Sequence, residues 1–382
     1  MQGRLRFRPL KRDWRFAMDR IGLGAIAGLA LLNAAVPAGA ASTPPDATAD
    51  ANAIAARALK EMEAHYPAGV SPVRRDAHAK AHGCAKAIFT VDRNIPTTLQ
   101  VGSFASPGAA YKAWVRFSNG AFHPGPDTGL DGRGMAVKIL GVAPDTPSKG
   151  PASAHDILMI NHPVFFSGDA RDYRAFAEAG ALTGDNAGLK AYFVPSWNPL
   201  AWRVRQGMIA YRIASQPIRS PLSAEYYSMT AFALGAGRAI KYAARPCGGH
   251  SSTSDPPKEQ GPNYLREALK ADLSAGPACY ELLAQERRDG MPVDDATTEW
   301  SEDQSPYRRL GEIVFPRQAI DQPGEDAFCE DIAFSPWNTP PESQPLGSIN
   351  QVRKTVYEAI SQFRHARNGA PVPDAASAWD RF

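Results

Sequence analysis

The ten residues AYKAWVRFSN, Ala110 to Asn119, decide how the middle of this chain is read. Val115 and Phe117 alternate with Arg116 and Ser118. An extended strand there shows one apolar face and one face carrying a cation and a hydroxyl. By pattern alone that is a half-exposed strand. Comparable runs surround it: CAKAIFTV (84–91), GMAVKILGV (134–142) and ILMINHPVFF (157–166), divided by Pro/Gly turns. EYYSMTAFALG, RAIKYAARPC and LGEIVFPRQ continue the strand character downstream. Helical patterns lie outside this block: roughly 50–65, ARDYRAFAEAGAL after Gly168 and Asp169, NYLREALKADLSAG, and the segment running to about 368. Strands in the middle with helices at the flanks predict an α+β fold with a mostly antiparallel sheet.

Composition narrows the function. The 382 residues are 44% hydrophobic with a formal net charge of +3. The first twenty residues alone carry seven Lys/Arg against two Asp, so everything after them is net acidic. A nucleic-acid partner therefore has no basic footprint. The cationic start is followed by the 16-residue apolar run IGLGAIAGLALLNAAV and an A-x-A site at Ala38-Gly39-Ala40. That layout predicts a signal peptide over 1–40 and an exported, periplasmic protein; an uncleaved membrane anchor is the alternative. Residues 41–69 read as a flexible lead-in plus the N-terminal helix, 70–368 as one domain, and 369–382 as a C-terminal tail. The four cysteines form no C-x-x-C pair. One disulfide, Cys247 with Cys279, and buried free thiols are equally compatible with their spacing. No G-x-G-x-x-G or Walker A segment follows a strand, and GHSST (249–253) lacks the closing glycine of a nucleophile elbow.

Three stretches carry polar groups where apolar ones belong. RRDAHAKAHGC (74–84) sets Arg75, His78, Lys80 and His82 directly before a strand. Two histidines four residues apart on an extended chain stand ~13 Å apart, too far for one zinc. One histidine as an acid/base group is the sharper reading, a solvated basic lead-in the plainer one. INHPVFF breaks an apolar run with a polar step, which marks a turn or a ligand-facing site. In QVRKTVYEAISQFR (351–364) a helix puts Arg353, Tyr357, Ile360 and Arg364 on one stripe beside Ile349 and Val356. A cation one turn from a phenol favours its ionised form, which is a ligand for ferric iron. Haem propionates would give Arg75, Arg116 and Arg364 a shared partner. The plainer reading is a core tyrosine with both helix arginines paired to carboxylates.

Together these motifs resemble the haem catalase family, and within it the small single-domain, catalase-related peroxidases. RDAHAK is similar to the family's distal motif, VRFS and PVFF match literally, DGRGMAVK resembles the turn after that strand, and R-x-x-x-Y at Arg353–Tyr357 is the proximal signature. The resemblance covers roughly 70–368. It implies a catalase-like antiparallel β-barrel with flanking helices and no flavodoxin-like C-terminal domain. It implies haem b with Tyr357 as iron ligand, tuned by Arg353, and with Arg75, Arg116 and Arg364 on the propionates. Phe165 is expected on the distal side and Tyr173 packed near the ring. His78 becomes the distal acid/base, oriented by Ser118. The family's distal asparagine aligns with Ile160, and Asn161 one position on is the expected substitute. His162 and Glu358 are further departures. Peroxide reduction with a small organic electron donor is the implied activity, ranked above fast disproportionation. Rearrangement of lipid hydroperoxides and non-catalytic haem binding are the alternatives. No nucleic acid and no membrane span after signal cleavage are expected, and a homo-oligomer is compatible with the resemblance.

Overall fold

The computed structural model describes residues 47–142, 154–249 and 260–382; the expected signal peptide lies outside them. Nine strands form one antiparallel sheet: β1 (Ala81–Val91), β2 (Ala110–Asn119), β3 (Arg133–Leu140), β4 (Ala154–Ile160), β5 (Tyr226–Tyr227), β6 (Phe232–Ala233), β7 (Ala239–Pro246), β8 (Ala278–Glu286) and β9 (Arg308–Phe315). Eight of them close on themselves. The ladder runs β1 to β5 in order, passes from β5 to β7, then through β8 and β9 back to β1, with β6 added beside β7. This is the predicted α+β, catalase-like antiparallel barrel, and closure removes the sheet edges.

The period of two seen in the sequence now has a direction. Ala85, Ala87 and Phe89 of β1, Val115 and Phe117 of β2, Val137 and Ile139 of β3, and Ile157 and Met159 of β4 are fully or almost fully buried in the barrel interior. Tyr242, Tyr280 and Phe315 complete the far wall. The intervening residues point outward. Register sets Arg116 opposite Ala136, which is opposite Leu158; one step along, Ser118 faces Gly134 and Gly134 faces Ile160. The face that looked half-exposed is instead covered by helices.

That cover is built from α1 (Ala47–His65), α2 (Ala170–Glu178) and α7 (Ser348–Asn368). Alanine-rich α1 buries Ala51, Ile54, Ala55, Ala58 and Met62, a helical stripe, in the same cluster as Val352, Val356 and Ile360 of α7. Asp169 caps α2 by accepting from the Asp172 amide at 2.8 Å. α7 ends at Gly369, which takes the left-handed conformation at φ 63°. The remaining helices are α3 (Asn186–Phe193), α4 (Val204–Ala214), α5 (Tyr264–Ala275), α6 (Glu325–Asp331) and α8 (Ala375–Arg381).

Several boundaries differ from expectation. α1 begins at Ala47, inside the stretch read as a flexible lead-in. β4 stops at Ile160, because the chain turns at Asn161-His162-Pro163. The expected tail carries α8, whose Ala375 and Ala378 are buried with Trp114 and Phe328. Two disulfides are present, where the spacing suggested at most one. Cys247–Cys279 joins the end of β7 to β8, and Cys84–Cys329 ties β1 to α6.

Candidate active site

Between the outer face of β2–β4 and α7 lies a cavity of about 570 Å³, within the range of small-molecule sites. Its barrel wall is the row fixed by register: Arg116, Ser118, Gly134, Ala136, Leu158 and Ile160. Its helix wall is the α7 stripe: Ile349, Val352, Arg353, Val356, Tyr357, Ile360 and Arg364. Arg75, Asp76 and His78 close one side, and Phe165 and Tyr173 another, their rings 5.6 Å apart. Nine of the ten sequence-nominated residues thus line one space. They come from five segments.

His78 is held in an unusual way. It precedes β1 with φ 56°, a left-handed conformation rare outside glycine. Its amide reaches the Gly120 carbonyl at 3.3 Å, and its own carbonyl accepts from Arg116 at 2.9 Å. The imidazole Nδ1 meets Ser118 Oγ at 3.1 Å. The opposing strand makes room: a Cβ on Gly134 would lie 2.5 Å from that Nδ1 and 2.9 Å from the serine hydroxyl. Burial, then the Arg116 charge, pushes the His78 pKa down to about 4, so the ring is neutral near pH 7. Lys80 and His82, its neighbours in sequence, turn elsewhere. Lys80 pairs with Asp127 at 2.7 Å, and buried His82 lies 3.9 Å from the same carboxylate.

The arginines are the second feature. Arg75 donates to the carbonyls of Glu330 (2.9 Å) and Ile332, and Arg364 donates to those of Glu330 (2.7 Å) and Asp331 (3.4 Å). The last turn of α6 therefore satisfies its carbonyls with two guanidiniums, which also meet the negative end of its dipole. Arg353 donates to Asn350 Oδ1 at 3.1 Å and sits 5.6 Å from the centre of the Tyr357 ring. Arg116 is the least compensated: its Nε is buried with no hydrogen-bond partner. Burial, then repulsion from Arg75, depresses the Arg116 pKa far below the guanidinium range and brings Arg364 down to about 10. Burial also lowers Arg75. Glu330 and Asp331 are the carboxylates that offset these cations. Desolvating a cation without a partner costs several kcal/mol, so this wall fits a guest that carries carboxylates of its own.

One expected residue is not there. Asn161 lies just past β4, its carbonyl oxygen accepting from the Arg133 amide at 2.8 Å and its amide donating to the Ile213 carbonyl at 3.0 Å. Those bonds lock it away from the cavity, and Ile160 lines the wall instead. At this point the wall presents the aliphatic Ile160, and Asn161 does not reach it.

Two wall residues escaped the sequence reading. Gly134 stood in a quoted motif, but its role needs the β2–β3 register. Asp76, beside Arg75 in sequence, carries no pattern signal of its own; in the fold it lines the cavity, and burial pushes its pKa up to about 6.

Comparison with known proteins agrees with this fold. Residues 53–190 match the Catalase family model. The fold resembles a fungal catalase solved at 1.9 Å (TM-score 0.64, 22% identity, 84% of this chain and 65% of that one). It also resembles catalase A from Saccharomyces cerevisiae (0.60, 22%, 81% and 64%) and a bacterial catalase (0.60, 18%, 92% and 69%). The chain spans just under two thirds of the first two structures' length. No curated protein sequence matches it.

Proposed function

We propose that this chain is a catalase-family, haem-dependent oxidoreductase that reduces hydrogen peroxide or organic hydroperoxides. The observation that carries the reading is a set of buried arginines, with the Arg116 Nε left unpartnered, around a cavity with a tyrosine on one wall and a neutral histidine on the other. Haem b, with its two propionates, answers Arg75, Arg116 and Arg364 as bidentate partners. Tyr357 would hold the iron, with the Arg353 cation against its ring. Bound haem supplies the redox-active iron at which a peroxide O–O bond is cleaved.

The chain's own residues handle protons and shape. Neutral His78 accepts the proton of an incoming peroxide and returns it to the departing oxygen, and the Ser118 hydroxyl fixes its ring for both transfers. Phe165 and Tyr173 wall off water. Burial holds Tyr173 above the usual phenol range, so it stays protonated. Ile160 offers no hydrogen bond to steer a second peroxide. That supports turnover with a small organic donor over disproportionation. The two disulfides and the N-terminal sequence pattern support export to an oxidising compartment.

The test is titration of purified protein with haem, followed by absorption. A stoichiometric, tyrosine-type ferric spectrum that Tyr357→Phe abolishes is the expected result. A chain that takes up no haem, or an unchanged spectrum in the variant, overturns the reading.

A further inference from the structure

The described residues leave nine large apolar side chains exposed, and six of them fall within eighteen residues: Val194, Trp197, Leu200, Val204, Met208 and Tyr211. Isolated exposed hydrophobes are ordinary, but such a concentration is not. Trp197 is 99% and Leu200 94% exposed. On α4, Val204, Met208 and Tyr211 share a face about 60° wide. The segment is well fixed: Phe193 packs 3.5 Å from where a Cβ on Gly207 would stand, and the Arg203 amide reaches the Phe193 carbonyl at 2.9 Å.

Charge selects the occupant. Between Asp185 and Glu225 the chain has no carboxylate, yet it holds Lys190, Arg203, Arg205, Arg212 and Arg219. Arg203 turns inward to Asp172 at 3.3 Å, and Arg205 bonds the Thr297 carbonyl at 2.9 Å. Lys190, Arg212 and Arg219 remain exposed in the same stretch of chain. A second copy docking about a twofold axis would press this cationic rim against itself. An anionic lipid surface complements it: acyl chains for the strip, headgroups for the rim, and the interfacial depth that Trp and Tyr favour. No described helix is long and apolar enough to cross a membrane.

We propose that the 194–211 segment is a docking surface for anionic bilayers. Its position relative to the cavity gives the contact a use. The inner side of α4 (Ala210, Ile213, Ala214) lines the cavity, as does Leu130, which is itself 73% exposed. Docking therefore brings the bilayer beside the cavity opening, and apolar molecules dissolved in lipid gain a short route inward.

Co-sedimentation of the full chain with phosphatidylglycerol vesicles and with phosphatidylcholine vesicles tests this without haem or peroxide, so its outcome is separate from the haem reading. Binding to the anionic vesicles, weakened by salt and reduced roughly a hundredfold in Trp197→Ser/Leu200→Ser/Met208→Ser, is expected. Thermal unfolding of the variant should match the parent, since all three side chains reach solvent. Equal binding by the variant overturns the proposal. So does absence of vesicle binding, including the case where sedimentation shows a dimer that the variant loses.

Discussion

The two walls of the cavity are built on different plans. The α7 wall comes from one continuous element, so Arg353, Tyr357 and Arg364 hold their places by helical spacing alone. The barrel wall is assembled across β2, β3 and β4 plus a histidine in a left-handed turn, so each residue depends on the register of its neighbours. On the helix wall the family-like residues are all present. On the barrel wall one position has changed, Ile160 standing where an amide is expected. In the proposed reading the helix wall holds the cofactor, and the barrel wall, with Ile160 on it, selects the reaction.

Substitutions on the barrel wall separate these roles. His78→Ala should lower the rate of peroxide reaction by about 10²- to 10⁴-fold while haem uptake, read by absorption titration, stays near the parental level. Loss of uptake would make the two walls one unit. In the parent, the rate should be flat around neutrality and fall as pH drops through about 4, where His78 protonates and no longer accepts a proton. A limb near 6 that vanishes in Asp76→Asn would transfer that control to Asp76. Gly134→Ala inserts a methyl 2.5 Å from the His78 ring. The displaced imidazole should slow the peroxide reaction roughly tenfold to a hundredfold, with little change in haem affinity. The smallest effect should come from Ile160→Asn, which restores an amide to the wall. Oxygen evolution from peroxide should then rise several-fold relative to donor oxidation, by an electrode and a dye assay run in parallel. An unchanged ratio would show that this position does not set the reaction.

The same contrast explains what was legible beforehand. Periodicity of 3.6 residues placed the α7 stripe without reference to any other element, and period-two alternation marked Arg116 and Ser118 as outward. Asn161 was misassigned because a strand's end decides which residue still faces the wall, and that depends on where the chain turns at His162-Pro163. β8, ACYELLAQE, was missed because its Leu, Ala, Gln and Glu favour helix; pairing with β7 and β9 overrides that preference. α3 and α4 escaped because Gly188 and Gly207 interrupt them and Pro195 and Pro199 sit between. The three arginines of the cradle were grouped from the sequence, but the acceptors of Arg75 and Arg364 were not, since backbone carbonyls leave no side-chain signal.

That cradle has one covalent anchor. Cys329 immediately precedes Glu330, and its bond to Cys84 fastens the carbonyl-bearing turn of α6 to the barrel. With both thiols reduced, that turn would keep its packing and its polar contacts, among them the Arg266–Asp326 ion pair at 2.9 Å. The disulfide and the two guanidiniums thus converge on one turn, so reducing this bond would loosen the carbonyls to which Arg75 and Arg364 donate.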